Sequence, residues 1–213
     1  MKLPEPANEP VLLADHVLTQ VPIEQHLDAV RPHHRFKGVA RSGVPWDLSH
    51  LEPFAFRVNP GLGFDLTVVV LFSCHCFTRS LRRDGRSRHQ KPAGEIFYDR
   101  REVRVLCEER YELSRRFLPE LIRKLHRRVI RFARESPQNF VTIEALDDGL
   151  ETERRHYVVF IAVQRDTKRK RQVFMQVQSA YVKRPLEPWL SKGRRISLER
   201  LLSATTLGKR LTG

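Results

Sequence analysis

The chain has 213 residues, 40% of them hydrophobic and 30% charged, with a formal net charge of +14, a pI near 10.4 and three cysteines. That length suits one well-filled domain with extensions or two small ones. The sparse, odd cysteine set argues against a disulfide framework and for a reducing compartment, with cytoplasm the expected location. No apolar run reaches the length of a membrane span, and the start Met1-Lys2-Leu3-Pro4-Glu5-Pro6 lacks the apolar core of a secretory signal.

Residues 1–34 read as an acidic extension interrupted by prolines at 4, 6, 10, 22 and 32. Lys2 and Arg31 stand against Glu5, Glu9, Asp15, Glu24 and Asp28, a balance of −3, so the rest of the chain carries +17. A surplus of that size gathers polyanions, and RNA or DNA is the expected partner. The acidic segment is expected to shield part of the basic surface. Pro22 suits the first position of a short helix through Ile23, Leu27 and Val30.

From Arg35 strands are expected. Pro53–Val58 is a short one, Asn59-Pro60-Gly61-Leu62-Gly63 a turn, and Phe64–Thr78 a central strand apolar on both parities. Arg79 to Gly94 reads as a mobile basic loop, in which Arg79, Arg82, Arg83, Arg86, Arg88, His89 and Lys91 face Asp84 alone. Such a loop suits ordering on a nucleic acid. Glu95–Tyr98 and Glu102–Cys107 are further short strands.

Leu118, Leu121, Ile122, Leu125, Val129 and Phe132 recur at helical spacing, which predicts a helix from Pro119 to Glu135, ended by Ser136-Pro137. Its outer positions Arg123, Lys124, Arg127, Arg128, Arg131 and Arg134 make it either a phosphate-binding surface or an Arg-rich solvated face.

Three strands follow at short intervals: Phe140–Leu146, His156–Gln164 and Arg171–Ser179. Their turns, Asp147-Asp148-Gly149 and Arg165–Lys170, favour an antiparallel meander. Lys168, Arg169 and Lys170 at the second turn either grip a nucleic-acid backbone or block edge pairing. A small helix near Leu198–Ser203 closes the chain. The expected fold is α+β: a twisted antiparallel β-sheet with one long basic amphipathic helix packed on a face. A core of residues 35–186 carries it, with 187–213 as a C-terminal tail.

Ser73-Cys74-His75-Cys76-Phe77-Thr78 is the most unusual stretch. On a strand Cys74 and Cys76 face one side and His75 the other, and the spacing is wrong for paired zinc ligands, so no metal or cofactor is expected. The cysteines read as small buried residues. His75 is either a proton carrier or a satisfied histidine. Asp99-Arg100-Arg101 and Glu109-Arg110-Tyr111 bracket a strand, and Arg110 either neutralises charge on a phosphate or pairs with Glu109 or Glu112. Val173, Met175, Val177, Ser179 and Tyr181 share a parity that ends on Ser and Tyr, like the floor of a cleft. There is no P-loop, dinucleotide glycine pattern, His-Glu-x-x-His or nucleophile elbow, which sets nucleotide hydrolases and common metalloproteases aside.

Over residues 115–185 the chain resembles the barnase–EndoU–colicin–RelE superfamily of small ribonucleases of bacterial toxins and prophage proteins. The resemblance rests on a helix feeding a meander, on Tyr157-Val158-Val159-Phe160 and on Val177-Gln178-Ser179-Ala180-Tyr181. The chain departs from that pattern in placing a central strand before the helix. The resemblance implies metal-independent RNA cleavage through the 2′-hydroxyl. It points to Ser179 and Tyr181, with His75 and Arg110 as companions. Two rival readings are a non-catalytic RNA- or DNA-binding protein and an interaction protein of a phage or defence system with a protein partner or inhibitor.

Overall fold

Val, Leu and Phe on both parities of Leu66–Phe72 can only be buried if that strand has neighbours on both edges and cover on both faces. The computed structural model, which describes residues 18–99, 102–133, 139–146 and 155–211, meets both conditions. The strands are β1 (Thr19–Val21), β2 (Ala40–Arg41), β3 (Val44–Pro45), β4 (Phe54–Val58), β5 (Leu66–Phe72), β6 (Thr78–Ser80), β7 (Ile96–Tyr98), β8 (Val103–Leu106), β9 (Ile130–Phe132), β10 (Asn139–Leu146), β11 (Arg155–Arg165), β12 (Gln172–Lys183) and β13 (Arg195–Ile196). The helices are α1 (Glu108–Arg123), α2 (Pro188–Lys192) and α3 (Leu198–Thr206). No helix among the described residues is long and apolar enough to cross a membrane.

The fold is mixed α/β. Eight strands form one sheet in the order β1-β4-β5-β12-β11-β10-β9-β13, while β6-β8-β7 and β2-β3 form small separate sheets. The expected C-terminal meander is present as β10, β11 and β12. The sheet is not wholly antiparallel, however. β12 returns beside β5 in parallel, pairing Gln172 with Thr67 through Val177 with Phe72, and this pairing joins two antiparallel halves.

The expected helix from Pro119 to Glu135 is replaced by two elements. α1 begins eleven residues earlier, at Glu108, and ends at Arg123; the chain then makes a 3-10 turn, Leu125–Arg127, and becomes β9. Glu108 and Glu109 favour the helix start by opposing the positive end of its dipole. The helical phase holds through Leu118, Leu121, Ile122 and Leu125, all buried. It then gives way to a period of two, with Ile130 and Phe132 buried while Val129 is 47% exposed. Nor is α1 a basic helix, since four glutamates match its four arginines. Arg134, Ser136-Pro137, Asp147-Asp148-Gly149 and Arg100-Arg101 lie outside the described residues.

α1 and α3 cover one face of the large sheet. Leu118, Leu121, Ile122, Leu198, Leu201 and Leu202 meet Val68, Val70, Phe72, Val159, Ile161, Met175 and Val177 in the main core. The opposite face carries two smaller clusters. In one, Leu190 of α2 packs with Val141, Val158 and Phe160; in the other, Ile23 and Val30 of the N-terminal arm lie on Ala55, Val69 and Leu71. Between them the face is polar. Gln176 lies beside Leu71 on one side and Ala162 on the other, and Ala162 lies beside Asn139. The segment read as a loose loop is tied down by acids. Buried Asp84 takes Arg79 and Arg86, and buried Glu95 takes Arg86 at 2.8 Å.

The change of period after Leu125 is open to a direct test. Ile130→Ala should cost about 2–5 kcal/mol as a buried large-to-small change. Val129→Ser, at the exposed residue just before β9, should stay within about 0.5 kcal/mol of the parent. Urea unfolding of both variants checks this, and a large loss at Val129 would restore the longer helix.

Candidate functional site

β5 ends at Phe72, and the next residue fastens the chain to β12. The Ser73 N–H donates to the Val177 carbonyl at 3.1 Å, and its hydroxyl donates to the Gln178 carbonyl at 2.7 Å. The same hydroxyl accepts the His75 N–H at 3.0 Å, which caps a 3-10 turn, Cys74–Cys76. The Thr78 hydroxyl donates to the Cys74 carbonyl at 2.7 Å. Two arginines hold the turn from behind. Arg110 donates to the carbonyls of His75 (3.0 Å) and Thr78 (2.8 Å), and Arg104 donates to the hydroxyl (2.8 Å) and carbonyl (3.1 Å) of Thr78.

The turn presents His75 to Asp99, which follows β7. His75 Nε2 and Asp99 Oδ2 are 2.6 Å apart, with the side chains 29% and 23% exposed. Burial lowers the His75 pKa, and the Arg104 charge lowers it further, against the hydrogen bond and charge of Asp99. The imidazole is therefore neutral at pH 7. Its Nε2 proton goes to the carboxylate, which leaves the Nδ1 lone pair to take a proton.

This pair opens on a cavity of about 700 Å³. Cys74, Tyr98 and Asp99 stand with His75 on one side, and His33, Arg35 and Lys37 of the N-terminal arm also line it. Asn139, Gln176, Gln178 and Ser179 of the sheet are its floor. A second cavity of about 310 Å³ shares His34 and Gln176 with the first and reaches Asp28, Phe174, Gln164 and Lys168. Together they form a groove on the polar strip of the sheet. His34 is buried there, accepts the Arg31 N–H at 3.1 Å, and has its pKa lowered to about 4, chiefly by burial; it is a neutral structural histidine.

Of the four expected catalytic residues, His75 and Ser179 share the groove, while Arg110 and Tyr181 do not line it. The shared parity of Val177, Ser179 and Tyr181 is broken by a β-bulge: Ile161 pairs with Val177 but Phe160 pairs with Ser179. Val177 therefore points into the main core, and Tyr181 joins the cluster on the other face, stacked on Phe160 with the Arg110 guanidinium 4.8 Å from its ring. Arg110 serves carbonyls, not the glutamates beside it in sequence.

Lys168 lines the second cavity. Arg169 is spent on the Gln25 carbonyl and on Asp28 at 3.2 Å, a contact between the acidic segment and the basic hairpin; Lys170 is exposed. Arg79, Arg82, Arg83, Arg123, Lys124, Arg127, Arg128 and Arg131 line neither cavity. Several have other partners: Arg79 pairs with Asp84, Arg123 lies over Phe54, Lys124 pairs with Glu120, Arg128 with Glu144, and Arg131 donates to the Gly193 carbonyl. The sequence reading missed His33, Arg35, Lys37, Tyr98 and the amides of the floor. The run His33-His34-Arg35-Phe36-Lys37 is a visible signal in the sequence, and it straddles the expected boundary between the acidic extension and the core.

Donor atoms of Cys74, His75 and Asp99 lie within 4.8 Å of one another, the one such group among the described residues. The expectation of no zinc rested on Cys74 and His75 pointing apart along a strand; the 3-10 turn brings them to the same place. Three donors would leave a zinc ion an open position. Burial and the Asp99 charge push the Cys74 thiol up, against the Arg104 charge, which pulls it down; burial and Arg104 lower the pKa of His75.

The bracing role of Arg110 predicts a stability phenotype. Arg110→Met should cost about 2–4 kcal/mol by removing two charge-assisted hydrogen bonds. Tyr181→Phe, which keeps both stacks, should be near neutral. Urea midpoints of the two variants decide this.

A family model describing the YjaZ family matches residues 34–206. Neither the curated proteins nor the solved structures contain a significant match. The matched segment runs from the arm residue His34 through every strand of the groove floor to the end of α3, and on that extent the chain belongs to the YjaZ family.

Proposed function

We propose that this chain is a toxin-like endoribonuclease that cuts RNA through the 2′-hydroxyl without a metal. The observation that carries the reading is the His75–Asp99 pair, 2.6 Å apart, at the mouth of a polar groove that also holds Ser179. The resemblance of residues 115–185 to small ribonucleases agrees with it.

The chemistry needs a base, an acid and a cation. His75 Nδ1 takes the 2′-hydroxyl proton while Asp99 fixes the ring and balances the imidazolium that forms. The freed oxygen attacks phosphorus, the bond to the 5′-oxygen breaks, and that oxygen leaves with a proton. We assign that proton to His33, which lines the same cavity. Arg35 and Lys37 supply positive charge for the pentacoordinate state in place of Arg110, which is committed to the turn. The products are a 2′,3′-cyclic phosphate and a 5′-hydroxyl.

The separation of Arg110 and Tyr181 from the groove favours a second reading, a nucleic-acid-binding protein without catalysis. One assay divides the two. Purified protein with labelled RNA in chelator should yield cyclic-phosphate ends, and a 2′-deoxy substitution at the scissile nucleotide should stop cleavage. His75→Ala should slow cleavage by roughly 10²–10⁴-fold. Activity should fall with acid only below the ordinary imidazole value of about 6.5, because the His75 pKa is lowered and its base form persists to lower pH. RNA bound but uncut would establish the binding protein, and cleavage lost in chelator would assign a metal to Cys74, His75 and Asp99.

A further inference from the structure

We propose that the groove selects single-stranded RNA, taken with its bases toward the sheet and one base stacked on Tyr98. The inference rests on the ribonuclease reading for its polymer and extends that reading to the form of the substrate.

The floor supplies the first argument. The side-chain amides of Gln164, Gln176, Gln178 and Asn139 take no part in the side-chain hydrogen bonds among the described residues. Each amide offers two donors and an acceptor, the complement of a base edge. A phosphate, which only accepts, would leave the amide oxygens unsatisfied. The strand therefore lies with its bases on the floor and its phosphates toward the cations Arg35, Lys37 and Lys168. An A-form duplex cannot offer this floor its Watson–Crick edges, which are paired; its major-groove edges lie in a deep, narrow groove, and only its minor-groove edges and 2′-hydroxyls are displayed.

Tyr98 supplies the second. Phe97 turns inward and packs edge-on against Phe77 at 5.5 Å, while its neighbour Tyr98 is 82% exposed at the cavity mouth beside Asp99. An uncovered ring next to the acid–base pair is a stacking platform for an unpaired base. The two adjoining cavities, about 700 and 310 Å³, share His34 and Gln176 in their linings and give room for more than one nucleotide. Tyr98 is then at the cleavage end of the strand and Lys168 at the far end.

The test uses the full chain and an uncleavable 2′-O-methyl RNA octamer, alone or annealed to its complement, followed by fluorescence anisotropy. The single strand should bind at least tenfold tighter than the duplex. Tyr98→Ala should weaken single-strand binding by roughly tenfold or more, the usual worth of one stacked base, and leave duplex binding unchanged. Tyr98→Phe should bind like the parent, which separates stacking from a folding defect, and Gln176→Leu should weaken the single strand alone. Equal affinity for both forms, or an unchanged Tyr98→Ala variant, would overturn this inference even if RNA is cut. Selective single-strand binding without cleavage of ordinary RNA would support it and overturn the ribonuclease reading. No binding to either form would overturn both.

Discussion

β12 is longer than its neighbour. It pairs with β5 only as far as Val177, and Gln178 to Lys183 continue past the end of β5 with one edge still to be covered. Backbone groups along such an overhang need partners or cover. The chain meets the need by folding the residues just after β5 back against it as a 3-10 turn, with Ser73 bonded to two β12 carbonyls. That turn is why His75 sits beside the floor of the groove. It is also why Arg104 and Arg110 are drawn inward, because its outward carbonyls would otherwise lack donors.

The strong positive charge of the chain is partly an internal material. Arg86, Arg104 and Arg110 are spent on carboxylates and carbonyls that hold the turn and the segment before β7 in place. What remains to attract a polyanion near the groove is a smaller set from the N-terminal arm and the β11–β12 hairpin. Net charge indicates a class of partner, but it cannot say which guanidinium faces solvent, since the cations that count are those left without a local acceptor.

The large strands were legible because burial on both faces leaves an apolar run and burial on one leaves alternation; β10, β11 and β12 lie within a few residues of their expected spans, whereas β5 stops at Phe72, six residues before the expected Thr78, where the chain turns into the 3-10 turn of Cys74–Cys76. Two things were not legible. The parallel partnership of β5 and β12 joins residues about a hundred positions apart, and nothing local records it. The stretch from Leu118 to Phe132 satisfies a helical spacing throughout, yet after Leu125 the same residues also satisfy a strand. Pairing with β10 and β13 decided the matter. Half of the candidate site was legible for related reasons. His75 and Ser179 stood out as residue types, but the bulge that turned Tyr181 away, and the approach of Asp99 from a separate small sheet, are products of tertiary packing.

The N-terminal arm contributes one wall of the groove, yet it is held by β1, which pairs through only three residues, and by contacts to the β11–β12 hairpin. Most of the floor beneath it is β12. During translation the arm emerges long before the strand it must dock on. A nascent chain that has not yet made β12 therefore carries the histidines of this site with no floor beneath them. The groove closes only when the hairpin has been made and laid against β5. The groove is thus a property of the finished fold, absent from every nascent chain that has not yet made β12.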